Sequence, residues 1–572
     1  MLSLFGWTND YNDNGFRECD MTGLKVHRSA EIQVMRFVLT AVVALIVGGF
    51  FALLVALTRW EAVGLLEADM FYTALSIHAW NLLIFWMVFT EIAILYVGGP
   101  FVLGRKLSLS SLATVGWTVM VGSAVWINYA IWTTQYPNQQ PLLTSYPPLP
   151  SSWQFYLGVI VFLLGTIVAA LPFFATIFNE KWENPSKTLP LVAFGAFICS
   201  IIALEALLGG LITYIPTFLW RVGIFESIDA AWYRQVYWII GHGSQQINLV
   251  AMITIWYFIT YYVGGAVMAS EKVSRIAFVL YLFFINMGAA HHLMSDPAVS
   301  ASWRVWNTSY AAYGAVVASM IHAFAIPAGL EVGRRQKGKG RGLFTWLTSA
   351  PWKDPGFSSI FLSFLMFGFL GGITGVVLGQ MQINMTWHNT LAVPGHFHAT
   401  VATGTTLAFM GFIYYGIRLV FRREWVGRFW AMIQPYLYGA TMGIVVLMMM
   451  YVGVLYGVPR RHPSVMDIPG TEFSFSAAQP LFTIWGSLAV LAVISGAIFV
   501  VVALLSLLFG SEVDPEKVKD EADAIGTDYP DKESHEYSMQ GTFVLTIIFL
   551  AAFGTLYFLN WYLVSQLWHI GA

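Results

Sequence analysis

The chain has 572 residues, 57% of them hydrophobic and only 10% charged, with a net charge of −2. A soluble domain carries about 25% charged residues, so this composition excludes an ordinary soluble protein and predicts an all-α polytopic membrane protein. The near-zero charge gives no footing for nucleic acid, and Cys19 and Cys199 stand too far apart for a CxxC metal site or a CxxCH heme attachment.

In chain order, residues 1–33 form a polar N-terminus with no cleavable signal. Apolar stretches long enough to span a bilayer follow near 34–58, 70–97, 109–135, 153–178, 187–216, 230–262, 272–296, 307–330, 355–380, 394–417, 430–456, 478–510 and 539–568. They divide into a twelve-helix core (34–510), an acidic loop (511–538) and a thirteenth transmembrane helix within 539–572. The loop 136–152 is uncharged and rich in proline, and suits an outer docking surface.

With the N-terminus placed in the cytoplasm, inner segments hold 23 of the 29 Lys and Arg residues. The outer loops keep Arg59, Arg221, Arg234, Arg304, Arg460 and Arg461. Positive charge concentrates on the cytoplasmic side of membrane proteins, so the predicted topology is N-terminus inside and C-terminus outside.

Six of the twelve histidines lie in apolar stretches: His78, His242, His291, His292, His396 and His398. A buried imidazole inside a membrane is costly unless it binds something. At 1.5 Å per residue, His78 lies roughly 12 Å and His242 roughly 18 Å from the outer end of its span, and the other four lie within about two turns of theirs. All six fall in or near the outer half of the bilayer, where unrelated histidines would scatter. His396 and His398 point about 200° apart on one helix, so that helix can serve two cofactors. With His78 as a second ligand, one would be a six-coordinate heme, and the other would be a heme with a single protein ligand and an open face. His242, His291 and His292 then suit a third metal, a catalytic copper or non-heme iron.

WIIGHGSQQINL (238–249), AAHHLMSDP (289–297), HNTLAVPGHFHATVATG (388–404) and VPRRH (458–462) resemble motifs of the catalytic subunit, subunit I, of the heme-copper oxidase superfamily. FESIDAAWYRQVYWIIGH (225–242) is similar to the B-family branch, and thirteen spans fit that branch. The resemblance implies that His78 and His398 ligate a low-spin heme, His396 a high-spin heme, and His242, His291 and His292 the non-heme metal. Arg460 and Arg461, with His388 and Asn389, would neutralise heme propionates, since guanidinium groups pair well with carboxylates. A plain outer-loop charge pair is the alternative for the two arginines.

The pattern breaks at one place. Oxygen reductases of the A and B branches carry a tyrosine four residues after the first metal histidine, where this chain has Gln246. The C branch supplies its tyrosine about six residues before the HH pair, where Ile285 stands. Nitric oxide reductases carry a glutamate at the +4 position. Glu205, roughly 16 Å from the outer end of its span, is a mid-membrane carboxylate able to act as iron ligand or proton relay. Gln246 on a B-like scaffold resembles the divergent nitric oxide reductases of the eNOR type. The expected activity is reduction of two NO to N2O, with non-heme iron favoured over copper. The alternative is a B-family terminal oxygen reductase of the cytochrome c oxidase type, reducing O2. A transporter or a heme sensor without turnover fits less well, because an open metal site has no use there.

Tyr257, Ser319 and His322 resemble positions of the B-family proton path, although Tyr257 and Ser319 could equally be packing residues. Without a cupredoxin domain or a CxxCH motif, electrons are expected from a small cupredoxin or cytochrome c subunit, or a soluble carrier, at the outer face. The expected setting is the lipid of a prokaryotic cytoplasmic (inner) membrane.

Overall fold

The computed structural model describes residues 11–134, 146–147, 151–285, 288–297, 299–340, 342–463, 474–518 and 539–567. Much of the predicted loops 136–152 and 511–538 lies outside them. Within them, regular structure is helical apart from one antiparallel hairpin, Phe16–Glu18 against Lys25–His27, with Phe16 opposite His27.

Ten helices among the described residues are long and apolar enough to cross a bilayer: Arg28–Arg59, Ala68–Phe101, Ser110–Thr133, Trp153–Glu183, Leu191–Arg221, Ala301–Gln336, Pro355–Leu378, Arg428–Tyr456, Ser476–Phe509 and Gln540–Gln566. They match ten of the thirteen predicted stretches. The other three depart from the regular spans expected. Residues 230–262 do form one helix, Ala230–Tyr262, but its run of glycine, serine, glutamine and histidine dilutes the apolar character. Residues 392–419 form a helical run whose middle, His398–Thr405, is π-helical. Residues 272–296 are irregular: helix Glu271–Leu280 passes into a π-helical turn, Tyr281–Ile285, and the histidine pair lies in a 3-10 turn, Gly288–Leu293.

These irregular turns have a physical reading. A π-helical turn holds an extra residue and re-aims the side chains around it, often at functional sites. One such turn, Trp80–Trp86, begins two residues after His78, and another begins at His398.

Small residues set how closely the helices approach, as is usual in membranes. A Cβ on Gly243 would stand 2.8 Å from the Ala206 Cβ, which locks helix Ala230–Tyr262 onto Leu191–Arg221. A Cβ on Gly453 would stand 2.0 Å from the Ala392 nitrogen, so helix Arg428–Tyr456 presses on the start of the run that carries His396 and His398.

Among the described residues, the first and last elements are both tied down. The buried Arg17 pairs with the buried Glu31 and donates to the Leu419 carbonyl at 2.6 Å, fixing the hairpin to the far end of the 392–419 run. The C-terminal helix is held at its N-terminus by Glu331, which accepts from the Gly541 and Thr542 amides at 3.0 and 2.6 Å. A carboxylate is stabilised there by the free amides and the helix dipole.

Candidate functional site

The six histidines gather into two groups joined by one helix. His78 and His398 come from different helices, yet their rings lie 16° from parallel with centroids 6.4 Å apart. Two metal–imidazole bonds of about 2.0 Å, plus about 1.1 Å from each nitrogen to its ring centre, span about 6 Å. The gap therefore fits one iron held from both sides. Each ring is oriented through Nδ1, His78 by the Gly48 carbonyl at 3.1 Å and His398 by the Pro394 carbonyl at 2.7 Å. A carbonyl only accepts, so Nδ1 carries the proton and Nε2 is left with its lone pair for a metal.

His396 is oriented in the same way by a hydroxyl. Thr374 donates its hydrogen to the Leu370 carbonyl at 2.5 Å, and its oxygen stands 3.0 Å from His396 Nδ1. Nε2 of His396 is again the free nitrogen. Replacing Thr374 with valine keeps the shape and removes the acceptor. Losing such a supporting partner typically costs about 10- to 100-fold in metal affinity or activity. A comparable fall in turnover, with weaker binding of any group held by His396, is expected and is measurable from heme content and steady-state rate.

His242, His291 and His292 each offer a ring nitrogen, all within 4.8 Å of one another. His242 Nδ1 stands 3.3 Å from His292 Nε2. Two nitrogens each about 2.0–2.1 Å from one tetrahedral metal stand about 3.3 Å apart, so this pair fits a shared ion. The Gly288 carbonyl, 2.5 Å from His291 Nδ1, directs that residue's Nε2 toward the group. His396 lies within electrostatic reach of His291 and His292, so it adjoins the triad.

Gln246 sits one turn further along the same helix, with its amide 3.1 Å from His242 Nε2 and its Oε1 buried without a hydrogen-bond partner. With Nδ1 given to a metal, His242 Nε2 carries the proton and needs an acceptor. The amide satisfies that need by presenting Oε1 in place of its NH2. The side chain of Ile285 lies outside the described residues.

Glu205 is not brought into the triad. It is exposed on helix Leu191–Arg221 and lines a small cavity with Ala206, Ile239, Gly243 and Ala289. That cavity borders the segments carrying His242 and His291, so the carboxylate stands beside the site, outside the set of ligand atoms.

Arg460, Arg461, His388 and Asn389 do come together. The Arg460 amide donates to the Asn389 carbonyl at 2.9 Å, and Leu391 to Val458 at 2.8 Å. Asn389 takes a left-handed conformation, φ 62°, which asparagine tolerates better than most residues. Burial and the neighbouring Arg461 push Arg460 down to about 10, and burial and Arg460 lower His388. Arg460 Nε is buried with no partner. Two adjacent guanidinium groups in such a place call for anions, which fits heme propionates.

Tyr257, His322 and Ser319 also cluster. The Tyr257 hydroxyl stands 2.9 Å from His322 Nδ1 and 3.1 Å from Ser274 Oγ. Ser319 Oγ meets the Tyr281 hydroxyl at 2.8 Å, and the Tyr281 ring stacks near His322.

Three supports escaped the sequence reading. Trp238 stacks on His292 with centroids 3.7 Å apart and planes 5° from parallel. Its position four residues before His242, on the same helix face, was a usable signal. Arg234 and Asp296 form a two-point ion pair at 2.7 and 2.9 Å that ties the histidine-pair segment to helix Ala230–Tyr262. Arg59 donates to the Arg460 carbonyl at 2.5 Å. Nothing local in the sequence announces these last two.

The family described as "Cytochrome C and Quinol oxidase polypeptide I" matches residues 33–494. Cytochrome c oxidase subunit 1 of Thermus thermophilus is 31% identical over 389 residues, which are 66% of this chain and 68% of that protein. Cytochrome c oxidase subunit 1 of Bacillus subtilis is 24% identical over 367 residues, 62% of this chain and 52% of that protein. A heme-copper terminal oxidase dimer solved by cryo-EM shares the fold, with a TM-score of 0.79 and 23% identity, covering 94% of this chain and 92% of that one.

Proposed function

Because the chain belongs to the cytochrome c and quinol oxidase polypeptide I family, the subunit I family of the heme-copper oxidases, we propose that it is the catalytic subunit of a respiratory nitric oxide reductase. His78 and His398 hold a low-spin heme, His396 a high-spin heme, and His242, His291 and His292 a non-heme iron, with copper as the alternative metal. Bound there, such groups would supply the electron relay and the redox-active metal chemistry of the reaction. Arg460 and Arg461, helped by His388 and Asn389, hold the propionates. NO reduction takes up two electrons and two protons per pair of NO, yields N2O and water, and breaks no O–O bond.

The observation that carries the reading is the Gln246 amide, 3.1 Å from His242 Nε2. An amide sets the tautomer of His242 but cannot give an electron as a phenol does, so O–O cleavage loses its usual local donor while N–N formation does not need one. The residues of the chain handle the protons. Tyr257, on the half of helix Ala230–Tyr262 away from His242, is linked by hydrogen bonds to Ser274 on helix Glu271–Leu280 and to His322 on helix Ala301–Gln336. Tyr281 and Ser319 continue that polar cluster. In this reading Glu205, which lines the cavity beside Gly243 and Ala289, acts as a proton relay. As an oxygen donor to the metal it would favour iron over copper. We place the chain in a prokaryotic cytoplasmic membrane, fed from the outer face by a small electron-transfer subunit or a soluble carrier.

O2 reduction is the second reading. The relatives' names favour it, and the Trp238 indole stacked on His292 is another ring able to give an electron. Metal analysis of the purified complex, with NO and O2 consumption measured from an artificial donor, separates the two. Two heme irons, one further iron, no copper and fast N2O release are expected. One copper in this subunit and rapid O2 reduction would overturn the proposal. A Glu205→Gln variant that keeps full activity and iron would remove Glu205 from it.

A further inference from the structure

Glu91 has no part in the site described so far. It lies on the span that carries His78, about 20 Å further along at 1.5 Å per residue, and is 4% exposed. Its Oε1 is buried and has no hydrogen-bond partner. The titratable group within electrostatic reach is the Cys199 thiol on helix Leu191–Arg221. Helices Arg28–Arg59, Trp153–Glu183 and Ala230–Tyr262 also pack on this segment, and among the described residues none brings a basic group to balance the carboxylate.

Burying a carboxyl in this way is expensive in a bilayer, and a structural role would leave both of its oxygens paired. The surroundings also give it a direction. The Cys199 thiol donates to the Ile247 carbonyl at 3.7 Å, and Ile247 directly follows Gln246. Glu91 therefore stands beside the turn just below the triad. It lies apart from the Tyr257–His322 cluster, which sits ten residues, about 15 Å, further along the same helix.

We infer that Glu91 is a second proton-holding site, on a route separate from the Tyr257–His322 cluster. Its carboxyl rests protonated. When electrons reach the site, the Glu91 O–H bond breaks and the proton moves toward Gln246, to be consumed in forming product water. The carboxylate then takes a proton from the membrane face away from the histidines. The inference rests on family membership and not on the choice between NO and O2, because both reductions consume protons.

The test is infrared difference spectroscopy, oxidised against reduced, on the heme-loaded complex in H2O and D2O. The wild-type complex should show a protonated-carboxyl C=O band that moves in D2O. That band should vanish in Glu91→Gln and return at a shifted frequency in Glu91→Asp. Turnover should fall by about 100-fold or more in Glu91→Gln, within the range of lost proton-transfer groups, and recover partly in Glu91→Asp, with both heme spectra unchanged. A band that persists unaltered in Glu91→Gln, or wild-type turnover in that variant, overturns the proposal. If Glu91→Gln does not assemble, the wild-type and Glu91→Asp spectra decide. A wild-type complex without a D2O-sensitive carboxyl band, or an Asp variant with an unshifted one, also overturns it.

Discussion

Replacing His291 with alanine is expected to empty the third metal position and abolish turnover while both heme spectra survive. The triad is the one group of three metal-capable side chains found among the described residues, and Glu205 lies outside it. Two imidazoles are a weak site for a divalent ion, and nothing else in the set takes the third place. The loss of rate should exceed the roughly 10- to 100-fold cost of losing an outer partner. His396, His398 and His78 are each oriented by groups independent of His291, namely Thr374, the Pro394 carbonyl and the Gly48 carbonyl. The hemes therefore have no reason to leave with the metal. Metal-to-heme ratios, optical spectra and turnover on one preparation check the prediction. A variant that keeps its third metal and its rate would show that the triad is not the reaction centre. Removing Trp238 tests how far the ring it covers depends on that support. The smaller effect expected there separates holding a ligand from being one.

The regular spans were legible because apolar length is a property of the sequence alone. The three stretches that fall short of a regular apolar helix are the ones carrying His242, the His291–His292 pair, and His396 with His398. Ligand residues dilute the apolar run, and the close approach they need is made with glycines and irregular turns. Depth along a helix could be counted, and it put the six imidazoles at one level. Direction around the helix could not be counted. Glu205 shares the depth of His242, yet it is exposed while the next residue, Ala206, packs on Gly243. The orienting partners were out of reach for a different reason. Thr374 stands 22 positions from His396 and Gly48 stands 30 from His78, and only the packing of helices brings them together. Glu91 was hidden among apolar neighbours in a span that read as ordinary.

Replacing His398 with alanine should remove the low-spin heme signal and leave the high-spin heme bound, and His396→Ala should do the reverse. The argument rests on the helical run that holds both. On a regular helix, residues two apart point about 200° from each other, and here a π-helical turn begins at His398 itself. His398 faces His78 across 6.4 Å with the rings almost parallel, while His396 turns toward Thr374 and the triad. With His398 gone, His78 keeps its bond to the Gly48 carbonyl, but the proposed low-spin heme would lose its second ligand. Electron delivery from the outer donor should then stop, because the relay between donor and reaction site is missing. Turnover driven by the donor should fall by far more than in any outer-partner variant. A small chemical reductant reaching the high-spin site directly should restore part of it. Loss of both hemes together in either variant would mean that the two sites fold as one unit, and the assignment of one imidazole to each side of the helix would fail.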